Sequence, residues 1–126
     1  MPRPTPKMPL GGLTVMTSTL RSRPDEVKRV IKSLQAAKQE ILKSREKSVA
    51  LTSSVLKLGR DVAEDTYTVY RKTVSGSGVP THEGIDQIVK SLQSAGQFTD
   101  RKVAFDEVAD DRIAKEVAKE LGYKVQ

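Results

Sequence analysis

The chain has 126 residues, of which 37% are hydrophobic, 30% are charged and 4% are aromatic, and it carries a formal net charge of +6. This length suits one domain with a single core, which must be largely aliphatic. The absence of cysteine excludes disulfide bonds and leaves any zinc site dependent on carboxylates and the single His82. No apolar run approaches the roughly 20 residues that a membrane-spanning helix needs.

The positive charge is concentrated in one part of the chain. Residues 21–60 contain 11 basic and 4 acidic side chains, whereas residues 61–126 contain 9 basic and 12 acidic ones. A basic front half is compatible with binding to nucleic acid or to an acidic partner. The alternative is a solvated helix face that complements the acidic half. No aromatic residues alternate with the basic ones, as they generally do in single-strand binders, and this favours the alternative.

The first segments are predicted to be non-helical. Residues 1–9 contain four prolines and are predicted to be a flexible, extended lead, without the apolar segment of a signal peptide. Residues 10–19 are uncharged and rich in β-branched residues, which predicts a short strand preceded by a turn at Gly11 and Gly12. No second strand-like segment follows, so this strand would be open to pairing with another chain.

Residues 25–58 form the longest stretch without glycine or proline. Pro24 provides a helix start, and a break is predicted near Ser44, where a second apolar stripe begins in a different phase. The spacing predicts an inward apolar stripe on the first helix, with Gln35 and Lys38 on its other faces. The members of that stripe are Val27, Val30, Ile31, Leu34, Ile41 and Leu42.

Three further helices are predicted. Gly59 is expected to end the second helix, and Asp61 to open the third. After a glycine- and serine-rich break at 75–78, Thr81 is expected to cap a fourth helix that Gly96 ends. Residues 103–108 are predicted to be irregular. The last helix is predicted to be capped by Asp110 or Asp111 and to stop at Gly122.

These elements predict a mainly α fold: a compact bundle of about five helices with one short N-terminal strand. Residues 10–124 are predicted to form a single helical domain after the lead at 1–9.

Few residues suggest catalysis or metal binding. His82 lacks an evident carboxylate and nucleophile nearby in sequence, and the glycine-rich break has no lysine at the spacing of a phosphate loop. The tyrosines Tyr67 and Tyr70 are expected to pack against residues 25–58 rather than to face a ligand. The acids at 106, 107, 110 and 111 lack the spacing of a calcium loop. We therefore expect neither an enzyme nor a cofactor or metal site.

The order of several short motifs resembles a known family. These motifs are LGGLTV at 10–15; RPDEVKR at 23–29; GRDVA at 59–63 with Tyr67, Tyr70 and Arg71; GVP at 78–80 with Gly84 and Ile85; and FDEVADDRI at 105–113, continuing to Leu121 and Gly122. Together they resemble the C-terminal third of the periplasmic solute-binding proteins of nitrate-, sulfonate- and taurine-type ABC transporters, which include binders of thiamine-pyrimidine precursors.

The resemblance implies a role in transport. It implies the C-terminal part of a two-lobed α/β binding protein, a small anionic solute, an ABC transporter permease as partner, and a periplasmic location. The strand candidate would pair there with strands that the present residues do not include, so a truncated chain that does not bind alone is one expectation. Gly11 and Gly12 are the candidates for backbone facing the ligand. Without a signal peptide, a stand-alone product would be cytoplasmic.

Two other functions remain open. A self-associating helical module with no small ligand would bury bare apolar surface in a homodimer, with Leu13 and Val15 on the strand as interface candidates. A weak nucleic-acid binder using the basic half ranks third.

Overall fold

In the computed structural model, which describes residues 7–9, 11–74 and 76–125, the chain is mainly helical, with 67% of the described residues in helices. The seven helices are α1 (Thr17–Ser22), α2 (Pro24–Lys43), α3 (Arg45–Leu56), α4 (Arg60–Thr73), α5 (His82–Ser94), α6 (Phe105–Val108) and α7 (Arg112–Glu120). The predicted mainly α fold is confirmed, with two more short helices than expected. The lead at 1–6, Leu10 and Ser75 lie outside the described residues.

The predicted N-terminal strand is wrong. Within the described ranges no strand occurs: residues 11–16 have no regular secondary structure, and α1 occupies the end of the segment. The backbone N–H of Leu20 donates to the carbonyl of Met16 at 3.0 Å, and that of Arg23 to Thr19 at 2.8 Å. A strand needs a second strand to pair its backbone groups, whereas a helix pairs them locally, so the helix forms here.

Contacts divide the chain into two compact units. One unit is Asp25–Gly76, which holds α3, α4 and all of α2 after Pro24; the other combines Met1–Pro24 with Ser77–Gln126. The single helical domain expected over residues 10–124 stays a prediction.

The core of the Asp25–Gly76 unit lies where α3 and α4 pack together. Val49 of α3 and Ala63 and Tyr67 of α4 are buried, and Ile41 of α2 packs against them. The predicted break between α2 and α3 at Ser44 is confirmed, although the Ser44 side chain makes no capping hydrogen bond. The predicted packing of Tyr67 against the 25–58 stretch is also confirmed, because its hydroxyl donates to the carbonyl of Ile41.

The buried side of α2 matches the predicted stripe only in part. Val27 is buried and Ile41 packs against the core, as the spacing predicts. Val30 and Leu34 are exposed, whereas Gln35 and Lys38 are buried. The ammonium group of Lys38 donates a hydrogen bond to the carbonyl of Gly76, at the end of the same unit. A bonded ammonium tolerates burial far better than an unpaired one, so this contact lets a basic residue turn inward.

The predicted end of α3 at Gly59 is also wrong. The left-handed residue is Lys57, with φ 54°, and Gly59 precedes α4 as its N-cap. Ser53 stabilises this turn from both directions: its hydroxyl donates to the carbonyl of Leu58 at 2.6 Å, and its carbonyl accepts the Leu58 N–H at 3.1 Å. These bonds offset the steric cost of a left-handed lysine.

In the other unit, the predicted helix ends are confirmed. The Thr81 hydroxyl accepts the N–H of Gly84 at 3.0 Å and caps α5. Gly96 and Gly122 have φ of 90° and 85° and follow α5 and α7 in Schellman turns, in which the next residue bonds back to the last helical turn. Gly84 is itself buried, and a Cβ there would lie 3.0 Å from Cδ of Pro9. The absence of a side chain at Gly84 therefore lets the 7–9 segment lie against α5.

Candidate functional site: the outer face of α4 and the His82 cluster

The candidates from the N-terminal segment do not converge on a site. Gly11 and Gly12 are exposed, and a Cβ at either position would meet no atom within 4 Å. Leu13 and Val15 are exposed as well, outside any helix. Their proposed roles in ligand binding and in an interface stay predictions.

His82 belongs to a small cluster formed by α5, α6 and the start of α7. Its ring stacks on Phe105, with 3.9 Å between ring centroids and 8° between ring planes. Its Nε2 lies 3.9 Å from Oδ2 of Asp111, and that oxygen lies 2.9 Å from Nζ of Lys115. Residues 103–108, predicted to be irregular, thus include a short helix, whose Phe105 contacts the imidazole.

This cluster has the geometry of a structural contact. The His82 side chain is 68% exposed, and the adjacent Thr81 hydroxyl already caps α5. The stack and the carboxylate therefore fix α5 against α6 and α7.

The acidic residues near the C-terminus pair with basic side chains. Arg101 donates to Glu107 at 2.6 Å and lowers the pKa of that carboxyl, helped by the Ala104 N–H. Arg112 donates to Asp110 at 2.6 Å and lowers its pKa in the same way. Asp110 also accepts the backbone N–H of Arg112, the first residue of α7, at 3.0 Å, whereas Asp111 occupies the N-cap position without a side-chain capping bond. Among the described residues, no group of three or more His, Asp or Glu side chains could hold a metal ion.

The outer face of α4 carries a regular stripe, which we call the α4 seam: Val62, Thr66, Val69 and Thr73. All four residues are exposed, Val69 at 60%, and they recur at steps of four, three and four residues. A shallow groove on this face is lined by the seam together with Asp65 and Tyr70. Partial burial raises the pKa of Tyr70, which lies at the edge of the groove.

The seam is more apolar than its composition suggests. The hydroxyl of Thr66 donates to the carbonyl of Val62 at 2.8 Å, and that of Thr73 to Val69 at 2.9 Å. Because both hydroxyls are bonded within the helix, the threonines contribute mainly methyl groups to the outer face. The sequence carries a signal for this seam, because two valines and two threonines recur at steps of four, three and four residues.

The Asp25–Gly76 unit exposes much apolar surface, of which the α4 seam is one part. Its described residues include four buried hydrophobic side chains: Val27, Val49, Ala63 and Tyr67. Seven large ones are exposed: Val30, Leu34, Leu51, Val55, Leu56, Val62 and Val69. Single exposed apolar residues are ordinary, but this many within one small unit make its surface a candidate for contact with other structure.

Part of the basic charge of residues 21–60 is neutralised within the unit. Arg60 donates to both carboxylate oxygens of Glu46, at 2.8 and 2.9 Å, and its Nε lies 3.5 Å from Glu64. The guanidinium of Arg45 lies over the Tyr67 ring, 5.2 Å from its centroid. These contacts show basic side chains engaged within their own unit.

Comparison of the chain with protein-family models, with curated proteins and with solved structures found no match in any of the three. In the part of the chain that the structure describes, no helix is long and apolar enough to cross a membrane.

Proposed function

We propose that this chain supplies the C-terminal helical segment of the solute-binding component of an ABC-type transporter for a small anion such as a sulfonate, taurine or nitrate. The resemblance of its ordered motifs motivates the proposal. The starts of α2, α4 and α7 fall within or directly beside the motifs at 23–29, 59–63 and 105–113.

One structural observation supports it most. In the Asp25–Gly76 unit, more large apolar side chains are exposed than buried, as expected of helices that cover a sheet in a larger protein. Val30 and Leu34 of α2 fit this account, because their helical spacing favours burial and yet both are exposed. A sheet contributed by further residues would cover such a face.

The test is ligand-dependent stabilisation of the full chain. Taurine, an alkyl sulfonate, nitrate and a pyrimidine are each titrated in thermal-shift and calorimetric experiments. A bound solute at 100 times its Kd should stabilise the fold by about 2.7 kcal/mol. Sodium chloride at matched ionic strength is the control, since this basic chain also responds to screening. A flat response to the whole panel contradicts solute binding by these residues.

A second function, self-association without a small ligand, is favoured by the same exposed surface. A homodimer would bury apolar side chains that a monomer leaves in water. Sedimentation velocity over a wide concentration range tests it, and a monomer at every concentration refutes it.

A further inference from the structure

We propose that the α4 seam pairs with the α4 seam of a second copy of this chain, in antiparallel orientation. The inference rests on the second proposed function, self-association, and specifies its surface. Its first support is the spacing, because steps of four, three and four residues are those of a coiled-coil seam. The seam extends over nearly all of α4, a helix of 14 residues and about 21 Å in length.

The seam is complementary to itself when one copy is reversed. About a midpoint between Tyr67 and Thr68, Thr66 falls opposite Val69 of the second copy, and Val62 opposite its Thr73. Each valine therefore meets the methyl face of a threonine, whose hydroxyl is already bonded within its own helix. Such a contact leaves no polar group on the seam without a partner when water is excluded.

Charge explains why a second copy fits better than an unrelated helix. Asp65 and Lys72 flank the seam, seven residues apart and on the same side of the helix. Both are exposed, and reversal of one copy places Asp65 near Lys72 of the other. The symmetry repeats the contact, so an antiparallel dimer has two attractive pairs at its rim. A parallel arrangement would instead place like charges at the same level.

The first experiment measures the dimer dissociation constant of the full chain by sedimentation. Val69→Lys places a charge in the seam and should raise Kd by at least roughly tenfold, or 1.4 kcal/mol. Leu51→Lys is the matched control, because Leu51 is 62% exposed on α3 of the same unit and lies outside the seam. Circular dichroism confirms that both variants keep their helices.

The second experiment exchanges the rim charges and tests orientation. Asp65→Lys and Lys72→Asp should each weaken the dimer, since each converts two attractive pairs into repulsive ones. The double variant D65K/K72D should restore it. A mixture of the two single variants should form a heterodimer, because both of its pairs are again attractive. These differences should shrink as salt is raised.

The outcomes separate this inference from the function on which it rests. A wild-type chain that stays monomeric refutes self-association and the seam together. A wild-type dimer that tolerates Val69→Lys refutes the seam while self-association stands. A dimer weakened by Val69→Lys, but with a double charge variant no tighter than the singles, refutes the antiparallel pairing.

Discussion

Tyr67 fixes α4 to the junction between α2 and α3, and its replacement by phenylalanine should loosen that junction measurably. The side chain is 3% exposed, and its hydroxyl donates to the carbonyl of Ile41 at 2.9 Å and lies 3.3 Å from that of Leu42. Both carbonyls belong to the last turn of α2, where no later turn supplies an N–H. Ser48 donates to the same Ile41 carbonyl at 2.9 Å.

The size of the effect follows from these two donors. Tyr67→Phe removes one hydrogen bond and keeps the ring, so it should lower the free energy of unfolding by about 1 kcal/mol. Ser48→Ala should lower the free energy of unfolding by a similar or smaller amount, since the carbonyl of Ile41 still accepts the hydrogen bond from Tyr67. The double variant leaves that carbonyl without either side-chain donor, so its loss should exceed the sum of the single losses by about 0.5 kcal/mol or more.

Urea unfolding followed by circular dichroism measures these changes. With a slope of about 2 kcal/mol per molar urea, a loss of 1 kcal/mol moves the midpoint by roughly 0.5 M. Tyr70→Phe is the control, because no hydrogen bond of the Tyr70 hydroxyl occurs in the described structure and the side chain is only partly buried. Equal midpoints for wild type, Tyr67→Phe and Tyr70→Phe would refute the reasoning, and strict additivity in the double variant would refute the shared carbonyl.

Three further predictions concern the other unit and use the same unfolding assay. Thr81→Ala removes the cap of α5 and should lower the free energy of unfolding by about 1 kcal/mol, whereas Thr81→Ser keeps a capping hydroxyl and should lose much less. Equal losses in the two variants would contradict the capping role. Gly122→Ala should lower the free energy of unfolding by about 1 kcal/mol, because the φ of 85° at this position is unfavourable for a residue with a Cβ. Gly12→Ala is the control and should change stability little, because a Cβ at Gly12 would meet no atom within 4 Å. Arg112 lowers the pKa of Asp110 from its ordinary value of 3.8. The ion pair therefore stabilises the fold fully at pH values above 3.8, and this stabilisation is lost as the pH falls through the lowered pKa of Asp110. The deficit of Arg112→Ala should therefore shrink in acid, and a constant deficit would contradict this.

The two proposed functions make different demands on the α4 seam and on the exposed face of α2. A binding protein needs both helices to lie against further structure of the same protein, and solute should then stabilise the fold. Self-association through the α4 seam needs only a second copy. The ligand titrations and the sedimentation experiments therefore give independent answers.

Several helix limits were determined by the sequence itself, because the atoms that stop or start a helix lie within a few residues. Pro24 begins α2 at the first helical position, where a missing N–H costs nothing. α5 begins directly after Thr81, because the hydroxyl of that residue accepts an N–H from the first turn of the helix. Gly96 and Gly122 end their helices because a left-handed residue without Cβ costs little. Such signals need no knowledge of distant contacts.

Other features were decided only by the tertiary structure. The β-branched composition of residues 10–19 predicts a strand, but a strand needs a second strand to accept and donate its backbone hydrogen bonds. α1 forms at the end of this segment instead, through hydrogen bonds within the segment. The pattern of α2 placed Lys38 outside, yet the carbonyl of Gly76, 38 residues further on, accepts its ammonium and permits burial. The exposure of the α4 seam also depends on distant contacts: Ala63 and Tyr67 pack in the core with Val49 of α3, and this leaves Val62 and Val69 on the outer face. Local chemistry set where helices begin and end, and contacts between distant residues decided which faces they bury.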